Sequence, residues 1–215
     1  MSEYKYEEEL VELDPHKMVD LYDRGFVLTR KGTGVMQKIR SLRVNLHEFE
    51  LSSENRRILR INEELSSAVL DIPLKSFYDW RIHAMGAKFY KERFGESVMS
   101  ANRIKSIVKD GESSFNSIIK FSYKDTTVGY TICFIYERIV HYTYPMYDTS
   151  YISKSLGIGM MTKSMEYFKR EGFDYMYLGS VHDKASLYKL QFRGGEWFDN
   201  DHWEKDLNIL KKMLS

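Results

Sequence analysis

Apolar positions recur along the chain with two different periods, and the period changes about half-way. Asp14-Pro15 opens a helix well, because Asp can cap and Pro fits the first helical position. Met18, Leu21 and Tyr22 then share one side, and Gly25 suits the residue after the last turn. Phe26–Thr29 reads as a strand and Lys31-Gly32-Thr33-Gly34 as a turn. Ser41–His47 alternates, with Leu42, Val44 and Leu46 on one face. Ser52 or Ser53 caps a helix predicted over 53–67, with Glu54 in its first turn and Ile58, Leu59, Ile61 and Leu65 inside. Asp71-Ile72-Pro73 interrupts the pattern and marks an expected boundary. A long helix is predicted over 75–93, stopped by Gly95, and Ser100 caps another.

After Gly111 the period becomes two. Phe115–Tyr123, Thr127–Tyr136 and Ile139–Tyr144 are rich in β-branched and aromatic residues, with turns at Lys124-Asp125-Thr126 and Glu137-Arg138. An antiparallel meander is expected. A glycine-bearing loop follows, then a helix over 156–170 stopped by Gly172, a short buried strand over 174–178, and helices over about 184–190 and 203–214. The expected division is an N-terminal lobe over 1–72 and a larger domain over 73–215.

Composition narrows the picture. The 215 residues are 43% hydrophobic, enough for one sizeable core or two compact lobes. No run approaches the ~18 apolar residues of a membrane span, and the acidic Met1–Leu13 holds no secretion signal. The single cysteine, Cys133, excludes an intrachain disulfide framework and a Cys-rich zinc site, and its mid-strand place suits packing rather than nucleophilic work. A reducing cytoplasm is the expected location. His16, His47, His83, His141, His182 and His202 show no ligand spacing, so no metal is expected. Residues 1–23 hold eight acids and two bases, and residues 24–60 hold nine bases and three acids. This asymmetry fits a basic face that meets an anion, or two solvated faces that cancel.

Strand, glycine loop, then helix can bind an anion when the first helical N–H groups point outward. Lys154-Ser155-Leu156-Gly157-Ile158-Gly159 fits the Q/R-x-x-G-x-G/A pattern of GNAT acyltransferases, with Lys154 at the first position. In that fold the flanking strands splay apart and the acyl donor lies in the gap. Two glycines near a helix start are also common as simple packing.

Further segments carry a narrower resemblance. Tyr144-Pro145-Met146-Tyr147-Asp148-Thr149-Ser150-Tyr151 runs into Lys154-Ser155-Leu156-Gly157; Tyr175-Met176-Tyr177-Leu178-Gly179 and Leu187-Tyr188-Lys189-Leu190-Gln191-Phe192 follow; Asp23-Arg24-Gly25-Phe26, Arg43-Val44, Phe49 and Ser52 to Arg57 precede. In this order they resemble segments of the arginyl/leucyl-tRNA–protein transferases. Three departures stand out: Val35, Met36 and Ser41 replace the N-terminal cysteine cluster, the loop after Gly179 is about two residues shorter, and Lys154 replaces Arg.

The resemblance implies an α+β, GNAT-like acyltransferase fold, a mixed and mostly antiparallel sheet flanked by helices, with a small N-terminal α/β lobe. It implies an enzyme that moves an aminoacyl group from tRNA to the α-amine of a protein, as in the N-degron pathway. Aminoacyl-tRNA would be co-substrate, with no further cofactor, and protein or peptide N-termini would be acceptors. The acyl-CoA alternative, with acetyl-CoA as donor, draws on Gly159; a non-catalytic relative that binds tRNA or N-termini is the third reading. The residues implied in catalysis are Tyr144, Asp148, His182, Asp183 and Tyr188. Lys154, Ser155, Leu156, Gly157, Ile158, Gly159, Gly179 and Lys189 would bind the donor. Lys38, Arg40, Arg43, Arg56, Arg57 and Arg60 would meet tRNA phosphates.

Overall fold

The structure, a computed structural model, describes residues 6–11, 14–95 and 98–214. The chain divides into two compact units. The first takes residues 1–52, 135–141 and 167–215, and the second takes 53–134 and 142–166. The boundary expected at residue 72 falls inside the second unit.

The first unit begins with β1 (Glu7–Leu10), α1 (Pro15–Asp23), β2 (Phe26–Leu28), β3 (Val35–Lys38) and β4 (Ser41–Asn45). The Asp14 carboxylate accepts the His16 N–H at 3.0 Å, with Pro15 at the first turn, so α1 starts where the sequence places it. β1, β3 and β2 form an antiparallel three-stranded sheet in that order. Here the acidic and basic segments meet: Lys31 pairs with Glu8 at 2.6 Å and Lys38 with Glu7 at 3.2 Å. Across exposed strands such pairs choose register more than they add stability.

The unit's larger sheet adds β9 (Tyr175–Ser180), β10 (Gly195–Phe198) and β11 (Trp203–Glu204), in the order β11-β10-β4-β9, followed by the first residues of β8 (Ile139–Tyr147). β8 and β9 are parallel, with His141 opposite Tyr177. β11-β10, β10-β4 and β4-β9 are antiparallel. A register shift between Leu42 and Arg43 leaves Leu178 as the extra residue of a bulge on β9, beside Gly179 at φ 74°. The helix α6 (Leu207–Leu214) ends the unit; the sequence started it four residues too early, across β11.

The second unit holds α2 (Ser53–Ile61), β5 (Leu65–Asp71), α3 (Arg81–Phe94), α4 (Ala101–Lys105), β6 (Ser117–Tyr123), β7 (Thr126–Tyr136, to Phe134), the remainder of β8, and the first eleven residues of α5 (Leu156–Arg170). Its strands lie in the order β8-β7-β6-β5, with β5-β6 and β6-β7 antiparallel. The helix expected over 53–67 is thus cut short at Ile61, and Leu65–Asp71 is an edge strand. Gly86 lets α3 sit close to Met146 and Ile104: a Cβ there would lie 2.5 Å from the Met146 sulfur. The architecture is α+β, a GNAT-like mixed sheet with mostly antiparallel pairings, and no helix among the described residues is long and apolar enough to cross a membrane.

Candidate functional site

In the first unit, the β9 bulge organises three polar groups. Lys189 lies in a 3-10 segment (Lys184–Gln191); the residue is half-buried, and its ammonium is turned inward onto backbone. Its ammonium donates to the carbonyls of Leu178 and Ser180, both at 2.9 Å, on either side of Gly179. Burial pulls its pKa down to about 8, against the attraction of Asp183. His141 faces the same glycine: a Cβ on Gly179 would lie 3.8 Å from the His141 Nε2, with no other atom within 4 Å. The Tyr22 hydroxyl bonds the other ring nitrogen, Nδ1, at 2.9 Å. Burial first, and the Lys189 charge second, hold His141 down to about 3, so the ring is neutral in ordinary buffers.

Asp183 caps the Lys184–Gln191 segment. Its carboxylate accepts the Ser186 N–H and hydroxyl, each at 2.9 Å, and the hydroxyl bond holds it below the usual carboxylate range. His182 stands beside it, 3.6 Å away, on the surface. Tyr188 is 44% exposed. These three are accessible, whereas Lys189 is spent on backbone.

In the second unit, β8 ends at Tyr147 and turns at Asp148. The Asp148 N–H donates to Val128 carbonyl at 2.9 Å, and its carboxylate accepts the Ser150 N–H at 3.0 Å. Tyr144 lies edge-on to Phe115. Thr149–Lys154 is a 3-10 turn, and the side chain of Lys154 lies outside the described residues. Ser155, at φ 51°, starts α5, and its carbonyl accepts the Gly159 N–H at 3.0 Å. Leu156 is buried and Ile158 half-buried. The two glycines are filled in by neighbours: a Cβ on Gly157 would lie 3.0 Å from the Tyr147 ring, and one on Gly159 3.0 Å from the Asn62 amide. Asn62 is buried at the end of α2, donates to the Ile58 carbonyl at 2.8 Å, and accepts from the Tyr123 hydroxyl. Tyr123 stacks on Tyr151 at 5.4 Å. The glycines therefore seat α5 against Tyr147 and Asn62.

The family model for the arginine-tRNA-protein transferase C terminus matches residues 75–199, more than half of the chain. The chain belongs to that family. It is 22% identical over 171 residues to an aspartate/glutamate leucyltransferase of Acinetobacter baylyi, covering 77% of this chain and 61% of the relative. It is 24% identical over 184 residues to an aspartate/glutamate leucyltransferase of Alkalilimnicola ehrlichii, covering 83% of this chain and 75% of the relative. The chain thus spans about three fifths of the first relative's length. Among solved structures, the C-terminal domain of a putative lysylphosphatidylglycerol synthetase from Agrobacterium fabrum superposes with a TM-score of 0.50 at 13% identity, over 78% of this chain and 52% of that one. That likeness concerns the fold alone.

For a transferase-family chain the basic residues divide unevenly. Arg43, expected on a phosphate-binding face, is instead a core group. Its guanidinium donates to Glu196 at 2.8 Å and to Asp23 at 3.0 Å, and lies 3.8 Å from the Tyr175 ring centroid and 4.0 Å from that of Trp203. Lys38 is half-buried on Glu7, and Arg40 lines a small hollow with Trp197, Asp199 and Glu204. In the second unit Arg56, Arg57 and Arg60 are exposed on α2; Arg57 is forked onto Glu54 at 2.6 and 2.8 Å, and Glu54 raises its pKa. Sequence reasoning missed the parts played by His141, Tyr22, Asn62 and Tyr147. Tyr147 carried a signal, since it sits in the quoted family segment. The other three act through partners more than 60 positions away. Among the described residues no three His, Cys, Asp or Glu side chains gather as a metal site.

Proposed function

We propose that this chain transfers an aminoacyl group from the 3′ end of a charged tRNA to the α-amine of a protein or peptide, with leucine as donor residue and N-terminal aspartate or glutamate as acceptor. The observation that carries the reading is the family match over 75–199, which takes in β8, the start of α5, the β9 bulge and Lys189. The leucyl and acidic-acceptor detail comes from the names of the relatives.

The chemistry is attack of an amine on an ester carbonyl, which needs orientation, proton removal and a home for the oxyanion. We assign Ser155–Gly159 with Lys154 to the donor end, and Tyr144 and Asp148 to its orientation. The exposed His182, Asp183 and Tyr188 receive the amine and its proton. Lys189 acts as a positioning residue, because its hydrogen bonds to the Leu178 and Ser180 carbonyls fix the backbone around Gly179. The acyl-CoA reading drew on Gly159, whose position next to Asn62 is accounted for by packing.

The test is transfer of labelled leucine or arginine from charged tRNA to peptides beginning with Asp, Glu, Lys or Arg, with labelled acetyl-CoA as competing donor. Leucine on Asp and Glu peptides is the expected result. Labelling from acetyl-CoA alone would overturn the proposal.

A further inference from the structure

The most exposed large apolar side chains of the second unit stand close together in the chain. Phe77 is 86% and Trp80 65% exposed, three positions apart, between β5 and α3. Large apolar groups this open on a folded surface mark a contact. Their setting is cationic. Lys75 precedes them, exposed and at φ 44°, a left-handed conformation that a residue with a Cβ adopts only when its surroundings impose it. The Lys109 ammonium lies 5.3 Å over the ring of Tyr78. Lys120 faces Asp79, and its charge helps to hold that carboxylate below the usual range. Asp79 is already neutralised by Arg81, which holds it through Nε at 2.7 Å and the main-chain N–H at 2.9 Å. Burial first, then the charges of Asp110 and Asp79, raises the Tyr78 hydroxyl's pKa, so Asp110 is the remaining opposing charge.

We propose that Phe77 and Trp80, flanked by Lys75 and Lys109, form a stacking platform for a single-stranded nucleic-acid segment. Flat aromatic faces next to ammonium groups are the combination that unpaired bases and their phosphates require. A protein partner's apolar surface would gain nothing from the lysines, and a duplex offers no open base face. The inference does not depend on the transferase reading; where both hold, the segment is the unpaired 3′ end of the tRNA.

Trp80 is its own reporter. Trp197 is buried and Trp203 is stacked on Arg43, so a base on the platform quenches mainly Trp80. The experiment titrates the whole chain with a short adenine-rich RNA, the same sequence as DNA, and an RNA duplex. Affinity for variants is followed by anisotropy of the labelled oligonucleotide. Saturable quenching by the single strands is expected, and the RNA and DNA arms state which sugar is preferred. Phe77→Ala and Trp80→Ala each weaken binding about ten-fold, while Trp80→Phe keeps it and loses the signal. The logarithm of affinity falls with that of salt at a slope of about −1.4 for two phosphates, and Lys75→Glu with Lys109→Glu abolishes the slope. Both aromatics are exposed, so the melting curves of the variants stay unchanged.

The proposal is overturned by absent quenching, by a double alanine variant that binds like the parent, or by a duplex that binds as well as the single strand. Self-association removed by the same substitutions, without oligonucleotide binding, overturns it too and assigns the patch to a second copy. Loss of the platform with leucine transfer intact leaves the transferase reading standing, and the reverse result leaves the platform standing.

Discussion

Replacing Arg43 by Met separates a core role from a phosphate-binding one. The Arg43 side chain is 8% exposed and that of Glu196 5%, so their 2.8 Å contact is a buried ion pair. Truncating one partner of such a pair costs about 3–5 kcal/mol, because the other charge stays in place without compensation. The Lys205 ammonium, 3.8 Å from the other Glu196 oxygen, offsets part of this. The Asp23 contact adds at most about 1 kcal/mol, since that carboxylate is 63% exposed. Met keeps the apolar filling between Tyr175 and Trp203 but gives up the cation–π attraction, about 1 kcal/mol. The expected loss is about 4 kcal/mol, a fall of roughly 8–16 °C in Tm for a chain of this size. Urea unfolding of Arg43→Met, Glu196→Met and the double variant forms a cycle, and the double variant should recover at least about 2 kcal/mol. An Arg43→Met loss below about 1 kcal/mol, or strictly additive losses, would refute the buried-pair reasoning.

Other outcomes follow from the same structure. Lys189 has its pKa pulled from the ordinary lysine value to about 8, so between about pH 8 and 10.5 the unfolded chain binds the extra proton. Stability of the parent should therefore rise with pH across that window relative to Lys189→Met, whose slope lacks this contribution; parallel slopes would contradict the burial. His141, held down to about 3, makes the unfolded chain the better proton binder between about pH 3 and 6.5. Stability is thus lost as pH falls through that range, and His141→Leu should flatten the loss in acid melting curves. Gly25 sits at φ 82°, and an added Cβ would fall 2.2 Å from the Phe198 ring, so Gly25→Ala should cost about 2 kcal/mol or more by chemical denaturation.

Local chemistry made some elements legible in the sequence. The helix α5 lies where the sequence puts it because its apolar stripe is continuous and Gly172, at φ 82°, stops it. The caps at Asp14 and Ser100 hold through side-chain oxygens that accept the expected N–H groups. The failures share a cause. Leu65 extended the helical spacing of Ile58 and Ile61, yet Asn62 bonds back to Ile58 and the chain leaves to pair with β6. β1 is Glu-Glu-Glu-Leu, a poor strand former by composition, and its pairing with β3, where Lys38 lies opposite Glu7 and Lys31 reaches Glu8, depends on residues some thirty positions away. β10 is buried throughout, but its partner β4 is some 150 residues away. At the site, the glycine motif was readable while its use was not. Tyr147 and Asn62 occupy the space beside it, and no spacing rule announces a side chain arriving from another element.

The pairing of β4 with β10 also bears on how the chain is made. A ribosome has released every segment of the second unit by residue 166, whereas the first unit waits for residues 167–215. Arg43 emerges 153 positions ahead of Glu196, an interval of roughly 8–30 s at ordinary elongation rates. For that time β4 has both edges open, Leu42 and Val44 uncovered and Arg43 without the second of its carboxylate partners, a template for pairing with a neighbouring nascent chain. Demand for chaperones during synthesis therefore concentrates on residues 26–52, and slower initiation, which spaces nascent chains apart, should raise the yield of folded protein more than slower elongation.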